Sequence, residues 1–380
     1  MIGDDPKGRS SSSASLAPTA ADEAACVEYE RRILADAERL PPAVRAAAEQ
    51  AVAADRVRRT ALYAERARYP VIADQDVGDP ILVTGLPRSG TTLLHGLLAQ
   101  DPRARSPLVW QTGEWSPPPG LDPEADARRI AQAYAEVAQI PQEMLARHSK
   151  GALLPEECGG VLMNLAFAGT AVPAIFGIDA NRDWLAREAD LSAAMRLHRH
   201  ALQHLQAFTS GDWWVLKNPP DLFRLDARFA EYPGTRLVWS HRDPAAVLPS
   251  NASLIQYAQQ LNGLDPDPQQ LGADLVEYWA EAIDRAMAFR AGHPRQEQFV
   301  DVHHTDLSRD AIGVARRIYD QFGMTLTPEA ETAMRVYMAN NRKGKHGAHS
   351  YSPEQFGLTA EGLHKRFAKY IETFDVEIGR

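Results

Sequence analysis

The feature that most constrains this chain is the run Gly85-Leu86-Pro87-Arg88-Ser89-Gly90-Thr91-Thr92, set between two apolar patterns of different period. Before it stands Ile81-Leu82-Val83-Thr84, a short continuous apolar run of the kind that forms a buried strand. After it, Leu93, Leu94, Leu97 and Leu98 recur at helical spacing. A strand that passes through a glycine-rich turn into a helix aims backbone N–H groups at one point, and the helix N-terminus adds partial positive charge there. Such a turn suits a phosphate. The plainer alternative is a strand-to-helix turn without a ligand.

The two glycines have the G-x-x-x-x-G spacing of a P-loop, but Thr91 stands where that loop carries its lysine. A nucleoside triphosphatase without the lysine lacks its main contact to the terminal phosphates. A kinase-like phosphotransferase would also need a carboxylate for Mg²⁺, and none stands at a recognisable place.

Three more runs read as inner strands: Trp213-Trp214-Val215-Leu216, Arg236-Leu237-Val238-Trp239-Ser240 and Phe299-Val300-Asp301-Val302. Helical stretches separate them, including Leu271, Leu275, Trp279, Ile283 and Met287 on one face. Strands alternating with helices predict an α/β, P-loop-like, three-layer fold with a central parallel sheet over residues 79–380. Residues 22–78 are rich in Ala, Arg and Glu, interrupted at Pro41-Pro42, and predict a helical N-terminal extension. Residues 1–21 read as a disordered tail, with no apolar core of the kind a signal peptide has. The uncharged stretch from Gly160 to Ile178 contains Asn164, Thr170 and Pro173, so it reads as a buried helix and loop, not as an integral membrane segment.

The formal net charge of −9 argues against a general nucleic-acid binder, so any bound phosphate must be held by local basic groups. Cys26 and Cys158 are the two cysteines; their spacing suggests neither a disulfide framework nor a metal site, and a cytoplasmic location is the expectation.

Two further segments give the phosphate loop a context. Arg242 follows the run ending at Ser240, with Ser250 eight residues later in His-Arg-Asp-Pro-Ala-Ala-Val-Leu-Pro-Ser, and Arg342-Lys343-Gly344 lies near the C-terminus. With these, the chain resembles the sulfotransferases that use 3′-phosphoadenosine 5′-phosphosulfate (PAPS). Pro87-Arg88-Ser89-Gly90-Thr91-Thr92 matches their loop, P-[KR]-S-G-T-T, throughout. Arg in its second place is similar to tyrosylprotein sulfotransferases and many bacterial members. The resemblance implies that Arg88, Ser89, Gly90, Thr91 and Thr92 hold the donor's 5′-phosphosulfate. It implies that Arg242, Ser250 and Arg342-Lys343-Gly344 grip its 3′-phosphate, and that no metal is required. Leu93 departs from the aromatic residue that many cytosolic members place after the Thr-Thr pair. His304 lies near where those relatives have an adenine-contacting tyrosine, although His303 and His304 are equally compatible with hydrogen-bonded strand-end residues.

Sulfuryl transfer resembles phosphoryl transfer in resting on positioning and fixed positive charge. Arg88 suits the leaving phosphate. Lys217, directly after an apolar run, matches the K-x-P lysine that tyrosylprotein sulfotransferases use beside the sulfuryl group; a strand-end surface lysine is the alternative. For a base, Trp110-Gln111 stands where many bacterial members have Trp-Glu. The remaining candidates are Glu157, then His148 and Glu114, with Glu156 and Glu157 not expected to share a face. Phe167, Phe176, Trp184 and the segment 160–178 suggest a partly apolar pocket, so the hydroxyl or amine acceptor is expected to be a small molecule, a lipid or a glycan. A non-catalytic nucleotide-binding protein remains the competing reading because of Gln111. The oligomeric state stays open, a homodimer included.

Overall fold

Five parallel strands form one sheet: β1 (Ile81–Gly85), β2 (Ala104–Arg105), β3 (Trp213–Lys217), β4 (Arg236–His241) and β5 (Phe299–His303), in the order β2-β3-β1-β4-β5. They belong to a computed structural model that describes residues 16–341 and 351–379. Alternate side chains leave a strand on opposite faces. Leu82, Leu216, Leu237, Trp239 and Phe299 enter one buried cluster, while Ile81, Val83, Val215, Val238 and Val300 enter another. Both faces of the inner strands are therefore covered, which is why these strands read as unbroken apolar runs. The edge strand β2 has two half-buried residues and too little pattern to be seen in advance.

Helix α1 (Ala20–Ala37) starts where the Thr19 side chain accepts from the Asp22 N–H at 3.1 Å, and α2 (Pro42–Arg68) starts with Pro42 at its first position. Cys26, Tyr29 and Ile33 of α1 and Val44, Val52 and Leu62 of α2 are buried in the cluster that holds Leu216 and Trp239. Most of the tail expected over residues 1–21 lies outside the described residues.

The other face is closed by helix α3 (Thr91–Leu98) and the helix Ala311–Gln321, through Leu94, Leu97, Leu98, Val314 and Ile318. The uncharged stretch becomes three short helical pieces, Cys158–Val161, Met163–Ala166 and Ala171–Phe176. Among the described residues, no helix is long and apolar enough to cross a membrane.

Register decides where a ligand can sit. Val83 pairs with Lys217, Gly85 with Ser240, and His241 with His303, so the carboxyl ends of four strands share one rim. β1 lies between β3 and β4, and the chain order reverses there, which is where open α/β sheets hold ligands.

Candidate active site

The loop after β1 is shaped by three residues with positive φ. Gly85 has φ +141°, and a Cβ there would lie 2.3 Å from the Ser240 carbonyl oxygen, so a side chain would force β1 away from β4. Gly90 has φ +100° at the start of α3. Arg88 has φ +68°, a conformation that costs a non-glycine residue about 1–3 kcal/mol and concentrates at ligand sites. Ser89 is fully buried; its hydroxyl donates to the Leu86 carbonyl at 2.7 Å, and its own carbonyl accepts from the Ser240 hydroxyl at 2.7 Å. These bonds fix the turn while Thr91 and Thr92 open α3 at its positive end.

Beside this loop, Arg88, Arg242 and Ser250 come together from three elements. Arg88 Nε donates to Ser250 Oγ at 3.2 Å, and Arg242 Nη1 donates to the Arg88 carbonyl at 3.0 Å. Arg242 Nε is buried with no hydrogen-bond partner among the described residues. Burial holds the Arg88 and Arg242 guanidinium groups below their usual pKa. Tyr351 opposes that shift at both, and Arg242 adds to it at Arg88. Two partly dehydrated cations packed together form a site that an anion with several oxygens would stabilise. The side chain of Arg88, expected at the leaving phosphate, reaches Ser250 beside Arg242.

Lys217, 3% exposed at the end of β3, forms a second centre next to the first. Its Nζ donates to Thr92 Oγ1 at 3.3 Å and pairs with Glu157 Oε2 at 3.0 Å. Adjacent Glu156 turns the other way and pairs with Lys150 at 2.7 Å. His148 is within electrostatic reach of Lys217, Glu156 and Arg88; burial first, then Lys217, pushes its pKa down to about 4. The amine of Lys217 therefore joins a carboxylate to a loop threonine, with a neutral imidazole within electrostatic reach.

A family model described as the sulfotransferase family matches residues 80–328, which include the loop, Glu157, Lys217, Arg242, Ser250 and His304. The chain belongs to the sulfotransferase family. This sulfotransferase is 24% identical over 311 residues to the omega-hydroxy-beta-dihydromenaquinone-9 sulfotransferase Stf3 of Mycobacterium bovis and of Mycobacterium tuberculosis, across 79% of this chain and 76% of the relative. Among solved structures, it is similar to the sulfotransferase STF9 from Mycobacterium avium, with 29% identity and a TM-score of 0.80 over 91% of this chain and 90% of that one. It is also similar to the sulfotransferase STF1 from Mycobacterium tuberculosis H37Rv, with 28% identity and a TM-score of 0.76 over 94% and 100% of the two chains.

The other candidates in the sulfotransferase do not share one location. Gln111 turns back on its own helix, where its Oε1 accepts from the Leu108 N–H at 3.0 Å. Glu114 is held by Arg128 in a two-pronged pair at 2.9 and 3.0 Å, which keeps its carboxyl below the usual range. Phe167 and Phe176 are core residues, and Trp184 packs on Tyr29 and Arg32, so all three have structural partners. The His304 ring lies 3.2 Å from the position of a Cβ on Gly90, next to the loop. Arg342-Lys343-Gly344 lies outside the described residues. Among the described residues, no group of three or more His, Cys, Asp or Glu is arranged to hold a metal ion.

Sequence reasoning missed Tyr351, which acts on both site arginines and donates to the Ala246 carbonyl at 3.3 Å. It also missed Gly159 and Asn218, which approach each other closely between Glu157 and Lys217. No local pattern marks these residues, because their contacts join segments far apart in the chain.

Burial sets a pH dependence for the whole molecule. It is the first cause that pushes His95 and His204 down to about 3, and His148 and His200 down to about 4, from 6.5. Between pH 6.5 and those values the unfolded chain binds more protons than the folded one, so stability present above pH 6.5 is lost as the pH falls towards 4. Thermal melts should show a Tm that falls steadily below about pH 6.5. A Tm that does not change on acidification to about pH 4 would contradict these buried neutral imidazoles.

Proposed function

We propose that this sulfotransferase takes its sulfuryl group from PAPS and transfers it to a hydroxyl of a lipid-like acceptor, releasing 3′-phosphoadenosine 5′-phosphate (PAP). The observation that carries the reading is the convergence of Arg88, Arg242 and Ser250 at the rim where Lys217 meets Thr92. In this reading Arg242 and Ser250 grip the 3′-phosphate, helped by Arg342-Lys343-Gly344. The backbone of Ser89, Gly90, Thr91 and Thr92 cradles the 5′-phosphosulfate, and His304 stands on the adenine side. Arg88 lends charge to both phosphates.

The acceptor oxygen forms the new bond to sulfur as the bond from sulfur to the bridging oxygen breaks, leaving the electron pair on the PAP phosphate. Lys217 meets the charge that develops there, in a site dry enough for a fixed cation to count. The acceptor proton goes to Glu157, the carboxylate beside Lys217, with His148 as the second candidate. A lipid-like acceptor is supported by the mycobacterial relatives, named for omega-hydroxy-beta-dihydromenaquinone-9. A kinase-like reaction has no such support, since Thr91 occupies the place of the P-loop lysine.

The donor assignment is tested by comparing PAP with AMP, which lacks the 3′-phosphate. A ligand present about a hundredfold above its dissociation constant stabilises the folded state by about 2.7 kcal/mol. PAP should raise the Tm accordingly, and AMP at the same concentration should raise it far less. Equal shifts would remove the 3′-phosphate from the account.

A further inference from the structure

Lys217 is followed by Asn218, whose backbone is fixed twice against β1: its N–H donates to the Val83 carbonyl at 3.1 Å, and its carbonyl accepts from Thr84 Oγ1 at 3.0 Å. Its side chain continues inward. Asn218 Nδ2 donates to Asp221 Oδ1 at 2.6 Å, and Arg228 Nε donates to Asp221 Oδ2 at 3.0 Å, with Arg228 Nη2 at 2.8 Å from the same oxygen. Asn218, Asp221 and Arg228 are all at most 1% exposed. On its other side Asn218 supports the segment that carries Glu157, because a Cβ on Gly159 would lie 1.9 Å from Asn218 Oδ1. Asn218 thus joins the two segments: its backbone continues the strand end bearing Lys217 against β1, and its side chain packs against the turn bearing Glu157.

A buried ion pair is often no more stabilising than well-packed apolar residues of the same size, so the Asp221–Arg228 pair calls for a reason other than stability. Precision is such a reason, since a displacement of about 1 Å at a reacting group can cost about a hundredfold in rate. We propose that the Asp221–Arg228 pair, acting through Asn218, is a positioning device that keeps Lys217 Nζ and Glu157 aligned for sulfuryl transfer. The proposal rests on the reading of Lys217 given above. Asn218, Asp221 and Arg228 are positioning residues; none of them is assigned a contact with donor or acceptor.

Asn218→Ala removes one hydrogen bond and no charge. It should lower turnover by roughly tenfold or more, followed as PAP released from PAPS with and without a long-chain alcohol acceptor, while the PAP dissociation constant stays within about twofold. If the residue acts through Lys217, the loss should nearly vanish when Asn218→Ala is made on top of Lys217→Ala. Gly159→Ala, which crowds Asn218 from the other side, should behave in the same way and serves if Asn218→Ala does not fold. Variants that bind PAP normally and keep full turnover would overturn the proposal, as would an equal loss with and without Lys217. Full turnover in Lys217→Ala would instead overturn the reading of Lys217 itself, so the two failures are distinguishable.

Discussion

Lys217→Ala is expected to lower sulfuryl transfer by about a hundredfold or more while leaving PAP affinity within a few-fold, the pattern of a contact made mainly in the transition state. PAP lacks the sulfuryl group, so the product complex loses little when the amine is removed. The transition state loses a fixed cation in a site where Lys217 is 3% exposed and its Nζ stands 3.0 Å from Glu157 and 3.3 Å from Thr92. Removing Lys217 also leaves Glu157 without its paired cation, so part of the loss will reflect a carboxylate, the proposed base, no longer held in place. Rates at saturating PAPS, together with PAP titrations, separate the effects. If Lys217→Ala instead weakens PAP binding as much as Arg242→Ala does, with turnover at saturating PAPS unchanged, Lys217 belongs to the nucleotide grip or to the structure and not to the chemistry.

Arg242→Ala should weaken PAP binding by about 2 kcal/mol or more, roughly thirtyfold, because it deletes a charge-assisted contact from a sequestered site. Ser250→Ala should cost about 1 kcal/mol, the scale for one neutral hydrogen-bonding group. The two losses should not simply add, since Arg88 Nε lies 3.2 Å from Ser250 Oγ while Arg242 Nη1 holds the Arg88 carbonyl at 3.0 Å. Calorimetric titration with PAP measures each loss. Normal PAP binding by Arg242→Ala would mean that the spacing of Arg242 and Ser250 is coincidental.

What could be read in the sequence was what local physics determines. The strand, loop and helix from Ile81 to Leu98 were visible because an apolar run, two glycines and a leucine repeat change period within a few residues. The inner strands were visible because both their faces are buried; β2 was not, since two residues at an edge carry no period. The apolar stretch from Gly160 to Ile178 was legible as buried, yet its role was not: Phe167 and Phe176 fill the core, and nothing in their spacing separates that from a ligand wall.

Of the candidate site, the motif residues Arg88, Arg242 and Ser250 stand out in the sequence, whereas the reach of Arg88 to Ser250 is a long-range contact that no spacing encodes. The same holds for the opposite turns taken by Glu156 and Glu157 towards Lys150 and Lys217. Gln111 shows the limit from the other side. The sequence marks a missing carboxylate there, but only the fold reveals that its side chain closes a turn at Leu108.

The most direct test of the account is to incubate the protein with sulfur-35-labelled PAPS and omega-hydroxy-beta-dihydromenaquinone-9 or a similar long-chain alcohol, without added metal, and to look for label in the extracted lipid. The account predicts a labelled sulfate ester formed together with an equal amount of PAP, and its loss in Lys217→Ala. Label that stays in PAPS with every alcohol offered, alongside magnesium-dependent transfer of the terminal phosphate of ATP to the same alcohols, would contradict it.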